Sequence, residues 1–214
     1  MARRDAERNR AKLIEAGRSA LAELGPDAPL EEIARRAGVG IGTLYRHFPT
    51  REALVESIFA EHIGGVRAAA EAAAGAADAW TGLVGFFEHV CELQARNLPL
   101  RGVFLRYGDG RSLAEHRERM RPLLERLVDR ARQQGALRAD YTVGDLSLAL
   151  WSFAPIFEAT ADVHPNVWRR HLRILLDGMR AEAASPQQVR PLAGKQLERA
   201  IDALRQRYHR RRAA

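Results

Sequence analysis

The residues best suited to chemistry fall in one stretch, "AGVGIGTLYRHFPTREAL", residues 37–54. Thr43, Tyr45, Arg46 and His47 all carry donors for phosphate oxygens or base edges, and Arg51 follows closely. Three glycines, Gly38, Gly40 and Gly42, stand just ahead of them. One candidate chemistry is a loop that cradles a nucleotide phosphate. Against it, no strand pattern precedes the stretch, and neither G-x-x-x-x-G-K-[ST] nor a βαβ-type G-x-G-x-x-G is present. The other candidate is a short helix aimed at an anionic surface. Gly42, with no side chain in the first turn, would let backbone N–H groups approach a phosphate. Arg3 and Arg4 form a basic arm suited to a neighbouring groove. Tyr45 and His47 also read as ordinary surface residues of a packed helix.

Other chemistries find less support. His62, His89, His116, His164 and His171 are scattered without metal-ligand spacing, and no nucleophile–base–acid set stands out. No cofactor is expected. Cys91 is the only cysteine, which excludes a disulfide framework and a cysteine-rich zinc site within one chain. It reads as a small buried residue, with a redox-sensing thiol as the alternative.

Formal net charge is +7 over 214 residues, and its placement is uneven. Residues 1–55 are near balance at +2 and residues 56–185 at −1. Residues 186–214 hold 8 basic and 2 acidic side chains. The excess therefore lies in the tail, and global basicity does not identify the N-terminal region as a nucleic-acid binder. No apolar run is long enough for a membrane span, and "MARRDAERNRAK" lacks the apolar core of a signal peptide. A cytoplasmic protein is expected.

The elements that must position these residues read as helices throughout. Leu13, Ala16, Ala20 and Leu24 recur at helical spacing until "GPD" stops them. "LEEIARRAG" follows, with Glu31 and Glu32 in a first turn where the helix dipole favours acids, and Gly38 as its C-terminal cap. A long helix starts near Thr50. Residues 78–95 put Trp80, Leu83, Val84, Phe87, Val90 and Cys91 on one face. "SLAE" at 112–115 reads as a capping box ahead of a Met120, Leu124, Leu127, Ala131 stripe. "TVGD" at 142–145 is a weaker cap before the nearly all-apolar "LSLALWSFAPIF", which Pro155 should kink. Trp168, Leu172, Leu175 and Met179 form a further stripe. "ASPQQVRPLAGK" reads as a linker, and Leu197, Ile201, Leu204 and Tyr208 as a last amphipathic helix.

Residues 30–48 then form a helix, a tight turn and a second helix. Ile33, Ala34 and Ala37 supply the first apolar side, and Leu44 and Phe48 the second. Val39 points between them. That leaves Ile41, Gly42, Thr43, Tyr45, Arg46 and His47 outward. This is the helix-turn-helix pattern, whose second helix enters the DNA major groove.

"IARRAGVGIGTLYRHFPTREAL" resembles the signature of the TetR family of bacterial transcriptional regulators, I-A-x-x-A-G-V-s-x-g-t-l-Y-x-h-F-x-s-K-e-x-L. The resemblance is strong over residues 8–55, and the form looks most like an SbtR-like subgroup. Gly40 replaces a common Ser N-cap, Pro29 a Ser or Thr cap, and Arg51 the usual Lys. The resemblance implies that Thr43, Tyr45, His47 and Arg51 contact the DNA backbone, with Gly42 and Arg46 at or near the groove. It implies an all-α fold with a three-helix helix-turn-helix domain at 1–55. A larger helical ligand-binding and dimerisation domain at 56–185 follows it; residues 186–214, by their own composition, read as a linker plus a basic amphipathic helix. It further implies a homodimer through the last two helices of the regulatory domain, a palindromic operator, and repression relieved by a small-molecule effector. Two recognition helices would then lie about 34 Å apart.

Phe87, Cys91, Phe104, Tyr107, Trp151 and Phe153 are the candidate pocket residues, with ordinary core as the competing reading. Arg101, Arg106 and Arg111 suit an acidic ligand or a solvated surface. The tail reads either as a docked extra helix or as an Arg-rich segment adding non-specific DNA affinity. Two other classes stay open: an all-α binding protein whose helix-turn-helix serves protein contacts, and an all-α enzyme.

Overall fold

The computed structural model describes residues 2–100, 103, 111–192, 194–197, 199–200 and 203. Among them every regular element is helical, apart from an isolated antiparallel bridge between Leu137 and Arg180. The helices are α1 (Ala2–Leu24), α2 (Leu30–Ala37), α3 (Ile41–His47), α4 (Arg51–Gly75) and α5 (Ala79–Arg96). A 3₁₀ turn follows at Leu98–Leu100, then α6 (Arg111–Gln133), α7 (Val143–Thr160) and α8 (Val167–Met179). The chain forms two compact units. The first includes Met1–Ile63 and Pro99–Glu115; the second includes Gly64–Leu98 and His116–Leu204. Helix α4 is continuous through the division at Ile63 and Gly64.

In the first unit, Leu13, Leu21, Ile33, Leu44, Phe48, Leu54 and Ile58 form one core. The α1 stripe is as expected at Leu13, Ala16 and Ala20, but Leu24 is exposed and Leu21 is buried. Leu24 lies in the last turn, where the chain leaves the helix at Gly25 with φ 82°. Gly17, unexplained by its sequence context, faces Leu54 and Ile58 of α4. A Cβ there would crowd Ile58 Cδ1 at 2.9 Å while meeting Leu54 at ordinary contact distance, so the glycine lets α1 pack closely on Ile58 of α4. Arg18 of α1 donates to the Ile58 carbonyl at 3.1 Å.

The second unit buries Trp80, Leu83, Phe86, Phe87, Val90, Cys91, Leu127, Phe153, Trp168, Leu172 and Leu176 together. Leu176, one position beyond the expected Leu175, takes the buried place on α8; Leu175 is only partly buried. Asp78 caps α5 by accepting from the Thr81 N–H at 2.6 Å. Helix α6 is already helical at Arg111, so Ser112 sits inside the first turn rather than ahead of it. "TVGD" is stronger than its sequence suggested. It is a complete capping box, with Thr142 and Asp145 each bonding the other's backbone N–H. Pro155 lies within α7, which continues to Thr160.

The turn from α4 to α5 is held from α6. Arg130 donates to the carbonyls of Ala74 and Ala76, both at 2.6 Å. Gln134 accepts from the Ala79 N–H at 2.8 Å and donates to the Ala77 carbonyl at 3.1 Å. Carbonyls at a helix C-terminus lack intrahelical partners; here a cation and an amide supply them. Gly82 completes the fit, since a Cβ there would lie 2.7 Å from the Ala73 carbonyl oxygen.

Candidate nucleic-acid interface

The turn between α2 and α3 is set by backbone chemistry. Gly38 adopts φ 69°, in the left-handed region that glycine enters at little cost. Its N–H donates to the Arg35 carbonyl, and the Val39 N–H donates to the Ala34 carbonyl at 3.0 Å. This pair of bonds is a Schellman motif and closes α2. Gly40 then stands as N-cap of α3 in extended conformation, without a side-chain cap bond. Its carbonyl accepts from Thr43 N–H at 2.8 Å. Nothing lies within 4 Å of where a Cβ on Gly42 would be, so the first turn of α3 is open.

Helix α3 has two unlike sides. Leu44 is fully buried and Phe48 nearly so. Ile41 and Tyr45 are 37 % and 48 % exposed, which makes them two of the few exposed large apolar side chains among the described residues. Gly42 and Arg46 are exposed, while Thr43 and His47 are half-buried. Arg46 folds along its own helix, donating to the Gly42 carbonyl and to Thr43 Oγ1, both at 3.1 Å. Arg4 is exposed in α1, so the expected basic arm begins as helix; the side chain of Arg3 lies outside the described residues.

Arg51 has a second occupation that its position in sequence did not reveal. Its Nη1 donates to the carbonyls of Ala28 at 2.6 Å and Pro26 at 3.3 Å. It thereby braces the α1–α2 turn, and only its other nitrogens are left for an outside anion. Arg10 was not anticipated either. It donates to Ser57 Oγ at 3.0 Å and its guanidinium stands 5.3 Å from the Phe48 ring centre, linking α1 to the end of α3 and to α4. No short-range pattern marks such a residue, because its partners are distant in sequence. Thr50 caps α4 by accepting from the Ala53 N–H at 3.2 Å.

The charges on α2 are internally matched. Glu32 accepts from Arg35 at 2.7 Å and from Arg36 at 2.8 Å, and these bonds hold its carboxyl down to about 2. Arg36 also reaches Glu23 on α1 at 2.8 Å. Positive charge free to meet an anion is thus richer on α3 than on α2.

The expected pocket residues distribute differently. Phe87, Cys91 and Phe153 are fully buried in the core of the second unit. Phe153 packs tilted against Phe157 and edge-on to His171. Burial pushes the Cys91 thiol up to about 12, which fits the packed alternative and not a redox sensor. Trp151 is half-buried. Phe104 and Tyr107 lie outside the described residues, as do Arg101 and Arg106. A groove of about 310 Å³ runs along α5 and α8, lined by Glu88, Trp168, Arg169, Arg170, Leu172 and Arg173, none of them among those expected. Its arginines are largely paired: Arg173 with Glu88 at 3.0 Å and Arg169 with Glu92 at 3.4 Å. Among the described residues no cluster of His, Cys, Asp or Glu suits a metal ion, and no helix is long and apolar enough to cross a membrane.

Comparison with known proteins agrees with this geometry. Residues 13–58 match the family model of bacterial regulatory proteins of the tetR family. Residues 53–181 match the C-terminal domain of SbtR-like transcriptional regulators. A TetR transcription regulatory protein from Mycobacterium vanbaalenii is 30 % identical, with TM-score 0.56, covering 84 % of this chain and 99 % of that one. A TetR transcriptional regulator from Streptomyces coelicolor is 31 % identical, with TM-score 0.52, covering 80 % and 98 %. A third, from Marinobacter aquaeolei, shares the fold at TM-score 0.65 with 19 % identity, covering 87 % and 100 %. The family is one of regulators and not of enzymes. With the helix-turn-helix in place and most of the chain matched by the two models, this protein belongs to the TetR family of DNA-binding transcription regulators.

Proposed function

We propose that this chain is a repressor that binds a palindromic operator as a homodimer and releases it on binding a small molecule. The observation that carries the reading is the two-sidedness of α3: Ile41, Gly42, Tyr45 and Arg46 are exposed over a buried Leu44 and Phe48. Thr43, Tyr45 and His47 are the proposed backbone contacts, with Arg51 contributing through the nitrogens its structural bonds leave over. Ile41, Gly42 and Arg46 face the groove, and Arg3 and Arg4 extend the basic surface.

The proposed dimer forms through α7 and α8. In support, Leu148 on α7 and Ile174 on α8 are 39 % and 57 % exposed, large apolar residues without cover in the single chain. Two copies related by a two-fold axis would bury both patches. The effector is proposed to act on the second unit, among apolar side chains that include Phe87, Cys91, Trp151 and Phe153. Release follows only if the effector binds better to the state that fits DNA worse. Helix α4, which belongs to both units, is the proposed carrier of that difference.

Light scattering tests the assembly. Wild type should be dimeric, and Leu148→Glu with Ile174→Glu monomeric and still helical. A monomeric wild type, or a dimer that survives both changes, contradicts the proposed surface. Selection of bound duplexes from genomic fragments tests the operator and, through the genes beside it, points to the effector class.

A further inference from the structure

We propose that Arg170 and Asp177 on α8 decide which chain is accepted as partner: across a two-fold axis at Ile174, each pairs with its opposite on a second copy of this chain. The inference rests on the dimer reading above and adds to it a helix register and a selectivity device. Residues on a helix are about 100° apart, so Arg170, Ile174 and Asp177 fall within an arc of about 60°. That arc lies opposite the buried Trp168, Leu172, Leu176 and Met179. All three residues are exposed, Ile174 by 57 %. Arg169 and Arg173 turn the other way, toward α5, where Glu92 and Glu88 hold them at 3.4 and 3.0 Å. Arg170 and Asp177 have no ion pair among the described residues.

The signs of these two charges oppose α8 itself. A helix favours acids in its first turn and bases in its last. Helix α8 has no acid in its first turn and no base in its last. Arg170 stands in the first turn and Asp177 in the last. An antiparallel neighbour reverses the account. Arg170 then lies beside the C-terminal turn of the other α8, where a cation is favoured, and Asp177 beside its N-terminal turn, where an acid is. The arrangement that is unfavourable within one helix is favourable between two.

Helix α7 continues the patch. Phe157 meets Trp168 and Phe153 meets His171, with ring centres 5.8 and 5.5 Å apart, so α7 and α8 run antiparallel side by side. Carried on at that register, Leu148 stands within a turn of Ile174. The exposed stripe of α7 is Leu148, Ser152, Pro155 and Ala159, without a charge. The charges that a partner must answer are therefore those of α8, and an inverted copy of α8 answers both. With the two Ile174 side chains opposed, Arg170 lies about 6 Å to one side of the axis and Asp177 about 4.5 Å to the other. Each Arg170 thus meets Asp177 of the partner subunit. An exposed ion pair adds little affinity. Its weight is in rejection, since a chain presenting like charges at these positions is refused.

The test is a charge exchange in the full-length protein. In an Arg170→Asp homodimer two acids face each other twice, and in an Asp177→Arg homodimer two bases do. Each variant alone should dimerise at least about tenfold more weakly than wild type by sedimentation at low salt. Both changes suit the dipole of α8, so a weakened helix is not the cause; equal helical content by circular dichroism checks this. Mixed, the two variants should form the heterodimer in excess over either homodimer, counted by native mass spectrometry because their masses differ. The chain carrying both changes should regain the wild-type dimer. If the single variants dimerise as wild type does and mix at random, the charge pairing fails and the α7–α8 dimer stands. If they weaken but neither mixing nor the double change restores the dimer, the register fails. If wild type is monomeric, both readings fail.

Discussion

Gly17 on α1 and Ile58 on α4 are matched in size: a Cβ on Gly17 would stand 2.9 Å from Ile58 Cδ1. Ile58→Val removes that δ-methyl, and alone should cost about 1 kcal/mol. Gly17→Ala gains about 1 kcal/mol of helix propensity but must displace the methyl, so alone it should change little. Combined, the added and the deleted methyl exchange places. The double variant should be more stable than the sum of the singles by about 1 kcal/mol. Denaturant melts of the four proteins measure this, and strict additivity would show that the two residues do not meet.

Two other helical glycines should behave oppositely. A Cβ on Gly64 in α4 would find nothing within 4 Å, whereas a Cβ on Gly82 would meet the Ala73 carbonyl oxygen at 2.7 Å. Gly64→Ala should therefore raise stability by roughly 0.5–1 kcal/mol. Gly82→Ala should lower it by about 1–3 kcal/mol, because backbone has to move. Thermal melts that rank these two variants the other way would contradict the packing of α5 on the end of α4.

The hydroxyl of Tyr141 is buried in the second unit without a hydrogen-bond partner among the described residues, and burial raises its pKa. An unpaired buried hydroxyl costs about 1–3 kcal/mol. Tyr141→Phe should thus be neutral or stabilising, by up to about 1 kcal/mol. A clear loss of stability would mean that the hydroxyl has a partner.

Glu32 contributes a pH-dependent part of the stability of the first unit. Its carboxyl is lowered to about 2 by bonds from Arg35 and Arg36. In the unfolded chain it titrates near about 4.3. The stabilisation is therefore complete above about pH 4.5 and is lost as pH falls toward about 2. Glu32→Gln should lower the melting temperature at pH 7 and make little difference at about pH 2. An equal effect at both pH values would show that the ion pairs are not the cause.

The legible part of this chain was local. Gly38 announces the α2–α3 turn because only a residue free to take φ 69° closes a Schellman motif there. Leu44 and Phe48 announce the inner face of α3 by their spacing. The missed features join distant residues: Arg51 with Ala28, Arg10 with Phe48, Arg130 with Ala74 and Gly144 with Leu192. A single arginine or glycine carries no periodicity, so its partner emerges only when the helices are placed. The aromatic candidates show the same limit. Phe87 and Phe153 are fully buried in the second unit, a burial that a core face and the wall of a closed pocket share, so helical spacing does not separate the two.

The central claim is that α3 reads DNA, and the most direct test is footprinting of the selected operator with wild type and Tyr45→Ala. Wild type should protect a two-fold symmetric site whose half-sites lie about one helical turn apart. Tyr45, 48 % exposed, supports no core, so the variant should fold normally and bind more weakly by roughly 1–3 kcal/mol. An undiminished footprint for Tyr45→Ala, or a protected site without two-fold symmetry, would contradict it.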